Sequence, residues 1–263
     1  MLISPLRDKI QYEIFAGTVN MKNSTKLVGF LSAPGWLDPA PEELRILTDG
    51  KISVQQTIVG PANFDWHTKS IAEIGPYLKH SAMQLAAAGC TLIASPATPF
   101  GYIGHRDINQ ARLSNHHLQE NIDAKVISAI TAIFDKLEFW KPRKVALACT
   151  YYSDEWRNLW ATFVNASGYT VLGSETLVDQ GIHSMEQKIT YPTSMEICES
   201  VKRISEKYPN SDAIVITGAG ARTVAIADDL CAICDKPIVA ADTALLSAIG
   251  KELCIKIPIS QNF

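Results

Sequence analysis

Along nearly its whole length this chain alternates short apolar, β-branched runs with longer stretches of helical periodicity, and that alternation confines it to a mainly parallel sheet covered by helices. Seven runs read as strands: residues 26–33 (KLVGFLSA), 52–59 (ISVQQTIV), 91–95 (TLIAS), 144–150 (KVALACT), 169–176, 213–217 (AIVIT) and 237–241 (PIVAA). Helices are expected between them over about 40–48, 67–88, 107–115, 118–139, 153–167, 194–207, 222–234 and 242–250. Local punctuation agrees. Pro41 with Glu42 and Glu43 suits a first helical turn, where a missing amide costs nothing and acidic groups favour the dipole. Ser153 before Asp154 and Glu155 reads as an N-cap, and Gly89 and Gly168 follow helical runs as C-terminal glycines do.

The pattern is also doubled. A strand running into a turn of small residues occurs at 94–101 (ASPATPFG) and again at 216–223 (ITGAGART). The expectation is an α/β protein of two similar lobes, each a mainly parallel sheet flanked by helices, with a ligand cleft between them. Residues 25–117 plus 242–263 would form the first lobe and 118–241 the second. The first 24 residues fit no βα unit and are read as an extension. In open α/β sheets ligands sit at the carboxyl ends of strands, so the two turns are where chemistry is expected.

Composition removes several alternatives. With 263 residues the chain can bury a large core; 47% hydrophobic and 19% charged residues give no case for disorder. A net charge of -3 without a Lys/Arg cluster leaves no electrostatic footprint for nucleic acid or an anionic membrane. No run approaches the roughly 20 apolar residues that span a bilayer. Charges at Arg7, Asp8, Lys9 and Glu13 interrupt the N-terminal region, unlike a signal peptide, so a cytoplasmic location is expected. Six sparse cysteines in mostly apolar runs read as reduced thiols. The partner is expected to be small or another protein, and an even-numbered homo-oligomer is the default assembly for a soluble enzyme.

Individual residues are then weighed. The turn Thr217-Gly218-Ala219-Gly220-Ala221-Arg222-Thr223 lets a ligand reach backbone N–H groups, which makes it an anion site; otherwise its glycines serve only to turn and pack. The third glycine of GxGxxG is absent, which disfavours a dinucleotide enzyme. Thr98, in the turn Ser95-Pro96-Ala97-Thr98-Pro99, either holds a carboxylate or caps local backbone. Tyr151 and Tyr152 follow the fourth expected strand; one can donate to an anion and the other packs. His105, just beyond the first turn, is a candidate proton carrier. The remaining histidines have no metal-ligand spacing. Cys231 and Cys234 form a CxxC at a helix end, where nothing stabilises a thiolate.

Taken in order, these segments resemble the aspartate/glutamate/hydantoin racemase superfamily, closest to its arylmalonate decarboxylase and maleate isomerase branch, across roughly residues 25–255. In that branch the first-lobe strand ends in Cys or Gly followed by Thr-Ser, matched here by Ala97-Thr98-Pro99. The second-lobe strand ends in Ser-Cys-Thr-Asn-x-Arg-Thr or Ser-Cys-Gly-Gly, matched by Thr217 through Thr223. A Thr-Pro-Tyr or Thr-Ala-Tyr segment appears as Thr150-Tyr151-Tyr152, and Pro34 with Pro39-Ala40-Pro41-Glu42 looks like the first-strand loop.

The resemblance implies a substrate site lined by Pro34, Ala97, Thr98, Pro99, Tyr151, Gly218, Ala219 and Gly220, with neither cofactor nor metal. It also implies that the two positions where racemases carry catalytic cysteines hold Ala97 and Gly218 here. Racemisation and thiolate-dependent isomerisation then lose an essential group, whereas decarboxylation needs only an anion hole, an apolar pocket and a late proton donor. Tyr152, His105 or water would supply that proton. The expected activity is a cofactor-independent lyase, or a related isomerase, acting on a small carboxylic acid. The alternatives are a non-catalytic carboxylate-binding protein and, further off, a nucleotide-dependent enzyme using the Gly218 turn.

Overall fold

A computed structural model describes residues 26–35, 38–120, 122–183 and 192–259. The expected N-terminal extension lies outside these residues. The first half runs β1 (Lys26–Ser32), α1 (Ala40–Leu47), β2 (Ile52–Ile58), α2 (Thr68–Ala72), α3 (Gly75–Ala87), β3 (Leu92–Ser95), α4 (Thr98–Tyr102), α5 (Ile108–Gln119), β4 (Lys125–Ser128) and α6 (Ala129–Trp140). The second half runs β5 (Lys144–Ala148), α7 (Asp154–Ala166), β6 (Thr170–Glu175), α8 (Ser194–Lys207), β7 (Ala213–Ile216), α9 (Ala227–Ile233), β8 (Ile238–Ala240) and α10 (Ala241–Glu252).

Each half carries one four-stranded sheet, ordered β2-β1-β3-β4 and β6-β5-β7-β8, and every recorded pairing is parallel. Counted from its own first strand, each sheet has the order 2-1-3-4, so the doubling read from the two turns is a doubling of topology. The central strands β3, β5 and β7 are almost wholly buried, which is why they read as continuous apolar runs; the edge strand β2 is mostly exposed instead.

Five expectations are corrected. The helix expected over 118–139 begins late, because Lys125–Ser128 pairs with β3 as an eighth strand. The change from one sheet to the other therefore falls between Ser128 and Lys144, not at residue 118. Ser128 caps α6 through a reciprocal pair with Thr131, which ends the strand and starts the helix within one residue. The helix expected over 67–88 breaks at Glu73 and Ile74, and Pro76 starts α3. The one expected over 222–234 is two short 3-10 turns followed by α9, with Arg222 left-handed at φ 48°. A short helix, α4, opens where a turn was expected.

The halves share a core. Tyr102 of α4 packs on Trp160 of α7 at 5.3 Å between ring centroids, and Phe134 of α6 meets Phe163 of α7 at 5.7 Å. Trp160 and Phe134 are fully buried, and truncating an aromatic so placed costs roughly 3–5 kcal/mol. Helix α10 returns across α6, and its Glu252 pairs with Lys125 at the foot of β4.

Candidate functional site

The strand order fixes where a ligand can sit. In an order 2-1-3-4 the connections leaving strands 1 and 3 diverge, opening a crevice beyond their carboxyl ends. Pro34 follows β1 and Ala97 follows β3; Tyr151 follows β5 and Gly218 follows β7. All four loops picked out by the sequence thus leave the switch points of the two sheets.

Thr98 and Tyr152 meet across the halves, hydroxyl to hydroxyl. Thr98 is the first residue of α4, whose N-cap Ala97 is extended and only half-buried, so the chain turns inward at the threonine; Pro99 starts the helix without needing an N–H partner. Both hydroxyls are buried, Thr98 at 1% exposure and Tyr152 at 5%. Burial, together with the nearby Tyr151 phenol, pushes the Tyr152 phenol well above its usual range even though the Thr98 bond favours its ionised form. Two hydroxyls joined by one hydrogen bond use one proton between them, leaving the other for a third group.

Tyr151 is the half-buried member of the pair. Its hydroxyl accepts the Gly220 N–H at 3.3 Å, and its ring lies on Gly218, where an added Cβ would stand 2.3 Å from the phenolic oxygen. Gly218 has φ +97°, a conformation that glycine alone adopts readily. Thr150, just before, donates to the Thr217 carbonyl at 3.3 Å, tying the two second-half loops together. The Thr217 side chain is fully buried beside Cys149 and Tyr152. The nearest thiol, Cys149, is fully buried, touches Ser174 at 3.3 Å and is pushed by burial up to about 11. It is no thiolate nucleophile.

An aromatic wall stands beside this pair, and sequence reasoning did not find it. Trp66 stacks on Phe100 at 5.8 Å and 13°, lies 5.1 Å from Phe64 and 5.8 Å from Trp156, and Trp156 in turn packs edge-on against Tyr152 at 5.6 Å. Trp66 takes a left-handed φ of 61°, unusual for an aromatic residue. Its signal in the sequence was only the aromatic spacing of FDW in a loop.

Three carboxyls were also missed. Asp38 follows β1, Glu43 lies on α1 and Asp242 opens α10; burial raises all three, Asp38 to about 6 and Glu43 to about 7, and Asp242 adds its charge to both. Asp242 is held by the Thr223 hydroxyl and N–H and by the Thr243 N–H at 2.8 Å, so it fastens the Gly218 turn to α10. Arg222 stands 4.0 Å from Glu43.

The remaining expected residues fall elsewhere. Pro34 is buried, and its ring would meet a Cβ on Gly60 at 3.0 Å, so it shapes the loop after β1. His105 turns to Ser114, Nε2 to Oγ 2.7 Å, and lines a separate cavity in the first half; burial lowers its basicity. Cys231 and Cys234 sit at the carboxyl end of α9, as expected. None of the six cysteines is in a disulfide, and no group of metal-ligating residues occurs among the described residues. No helix among them is long and apolar enough to cross a membrane.

The fold is shared with known proteins. A family described as arylmalonate decarboxylase matches residues 54–253. The crystal structure of arylmalonate decarboxylase superposes with a TM-score of 0.68 at 15% identity, covering 86% of this chain and 91% of that one. Maleate isomerase Iso from Pseudomonas putida S16 gives a TM-score of 0.69 at 14% identity over 90% and 99% of the two chains. The Nocardia farcinica maleate cis-trans isomerase C194S mutant, with a covalently bound succinylcysteine intermediate, gives 0.69 at 15% identity over 89% and 95%. No curated protein matches the chain by sequence.

Proposed function

The chain belongs to the arylmalonate decarboxylase family, and from that premise we propose that it is a cofactor-independent lyase, decarboxylating a small dicarboxylic acid with an aromatic substituent, or a related isomerase of such acids. The observation that carries this reading is the buried Thr98–Tyr152 hydroxyl pair, set between the Gly218 turn and the aromatic wall.

One carboxylate binds the hydroxyl pair through the proton the pair does not use, and the Trp66 face takes the aromatic group. The second carboxylate lies against that apolar wall, where its charge is poorly solvated. The bond from the α-carbon to that carboxylate breaks, carbon dioxide leaves, and the electron pair stays on the α-carbon. From there it spreads into the retained carboxylate, whose growing charge the hydroxyl pair stabilises. A proton then reaches the α-carbon.

Tyr152, expected alongside His105 and water as a donor, is bonded through its hydroxyl to Thr98, so Tyr152 serves to hold the carboxylate. Tyr151 is better placed as donor, because its half-buried hydroxyl lies on the Gly218 turn and accepts the Gly220 N–H. His105, on the far side of α4, has no part in this step. Ala97 and Gly218 stand where racemases of the superfamily carry cysteines, and the buried Cys149 replaces neither.

The test is one-dimensional proton NMR of the purified protein in deuterated buffer with aryl- and alkylmalonates, hydroxy acids and unsaturated dicarboxylates. Loss of a malonate signal with a deuterated monoacid appearing, abolished in Thr98→Val and slowed in Tyr151→Phe, is the expected result. A panel that stays chemically unchanged sinks the catalytic reading. Saturable ligand line broadening without turnover supports the second reading, a carboxylate-binding protein, which the missing thiols favour.

A further inference from the structure

The first half holds a cavity of about 650 Å³ that is not lined by Thr98, Tyr151, Tyr152 or Gly218 and meets the aromatic wall through Phe100. It opens between α2, α3 and α5 at the ends of β3 and β4, and the back of α4 forms one wall through Phe100 and Gly101. Thr98, at the start of the same short helix, faces Tyr152 instead. This volume lies within the range that drug-sized ligands occupy.

The lining is mainly apolar, with Ile71, Ile74, Leu78 and Ile103 among its walls. Its inner polar groups are uncharged: Ser95 ends β3, Ser128 already accepts the Asn115 amide at 2.9 Å, and His105 is bonded to Ser114. The two formal charges on the lining, Lys79 and Glu120, are exposed and opposite in sign, so the cavity presents no net charge to an ion.

His105 is the group that asks for a partner. Its Nε2 takes Ser114, while its Nδ1 is buried with no hydrogen-bond partner among the described residues. Burial holds the ring toward the neutral form. In a neutral imidazole one nitrogen donates and the other accepts, so Nδ1 is left as a donor or an acceptor according to which way the Ser114 bond runs. A hydroxyl satisfies either case, because it both gives and takes a hydrogen bond. A carboxylate can only accept and an ammonium can only donate.

We infer that this cavity is a second ligand site, separate from the interlobe cleft, for an uncharged and mainly apolar molecule bearing a hydroxyl, such as a phenol or an aryl alcohol. The apolar body lies against Ile71, Ile74 and Leu78, and the hydroxyl meets His105. Because α4 is shared, with its back on this cavity and Thr98 on the cleft, occupancy stiffens the helix that presents Thr98. The inference stands whether or not the cleft is catalytic.

The experiment titrates the full chain with 4-propylphenol, 4-propylbenzoate and 4-propylbenzylamine, read by saturation-transfer NMR and by shifts in protein amide spectra. The phenol should bind saturably and at least tenfold more tightly than either charged analogue. His105→Phe removes the polar partner at similar size, and Gly75→Trp adds bulk at a lining position where a new Cβ meets nothing within 4 Å. Each should weaken phenol binding at least tenfold, while Thr98→Val should leave it within twofold. Absence of saturable phenol binding, tighter binding of a charged analogue, or binding lost in Thr98→Val but kept in Gly75→Trp would each overturn the inference. Amide spectra of both lining variants establish that the fold is retained; if His105→Phe fails to fold, Gly75→Trp decides alone.

Discussion

Tyr151 covers Gly218: the phenol lies where a side chain at 218 would begin, 2.3 Å from an ideal Cβ, and holds the next glycine of the turn through the Gly220 N–H. The contact explains why a glycine stands here and makes the turn and the tyrosine one unit. A thiol cannot simply be added at this place.

Gly218→Cys is therefore expected to fold less stably, by roughly 2–4 kcal/mol, from the strained φ and from overpacking together. Tyr151→Phe should not relieve it, because the ring carbons also stand within 2.6 Å of the new Cβ, whereas Tyr151→Ala should relieve the packing part. Urea midpoints of the three combinations check this; a freely tolerated Gly218→Cys would refute it.

The Thr98–Tyr152 pair should behave as one interaction. Thr98→Val and Tyr152→Phe each leave a buried hydroxyl without its partner and should each cost about 1–3 kcal/mol. The double variant should cost less than the two added together, by on the order of 1 kcal/mol. A double-mutant cycle by chemical denaturation measures that difference, and strict additivity would mean that the contact carries no energy.

The carboxyls at the junction of α1 and α10 should make stability fall as pH rises. Asp38 and Glu43 are raised in the folded protein to about 6 and about 7, so the folded state holds protons that the unfolded chain has released. That contribution is complete below about pH 4 and is lost as pH climbs through 6 and 7, the reverse of a salt-bridged carboxylate. The expected change is on the order of 1–3 kcal/mol per group. Asp38→Asn should flatten the decline in melting temperature between pH 5 and 8; an unchanged slope would show that Asp38 does not titrate in this window.

Trp66→Ala should separate aromatic from alkyl substrates. The indole stacks on Phe100, and if it lines the proposed site its loss should weaken binding of an arylmalonate by about tenfold, near the upper end of an aromatic contact, and leave methylmalonate almost unaffected. Competition by line broadening or calorimetry measures both. Equal losses for the two acids would remove Trp66 from the site.

Much of this architecture was legible because its physics is local. β3, β5 and β7 announce themselves because a strand covered on both faces must be apolar throughout, and Ser153 announces α7 because a helix start needs an acceptor for its open N–H groups. β4 was hidden, since KVIS is four residues long and runs straight into the periodicity of α6. Tyr151 and Tyr152 are neighbours, and no local rule says which enters the core; packing of α4 against α7 turns Tyr152 inward to Thr98 and leaves Tyr151 on the glycine turn.

His105 shows the limit most clearly. Its place in the chain, soon after Thr98, suggested the same site, but α4 lies between them and sends the histidine to another cavity. Asp38 and Asp242 are likewise distant in sequence and meet only because α10 folds back toward the loop after β1. The α/β alternation, the doubling and the four strand-end loops could be read from the chain alone, because each depends on hydrophobic period and turn chemistry within a few residues. Which side chains face one another across the halves is set by helix packing and strand order, which bring together residues that no local pattern connects.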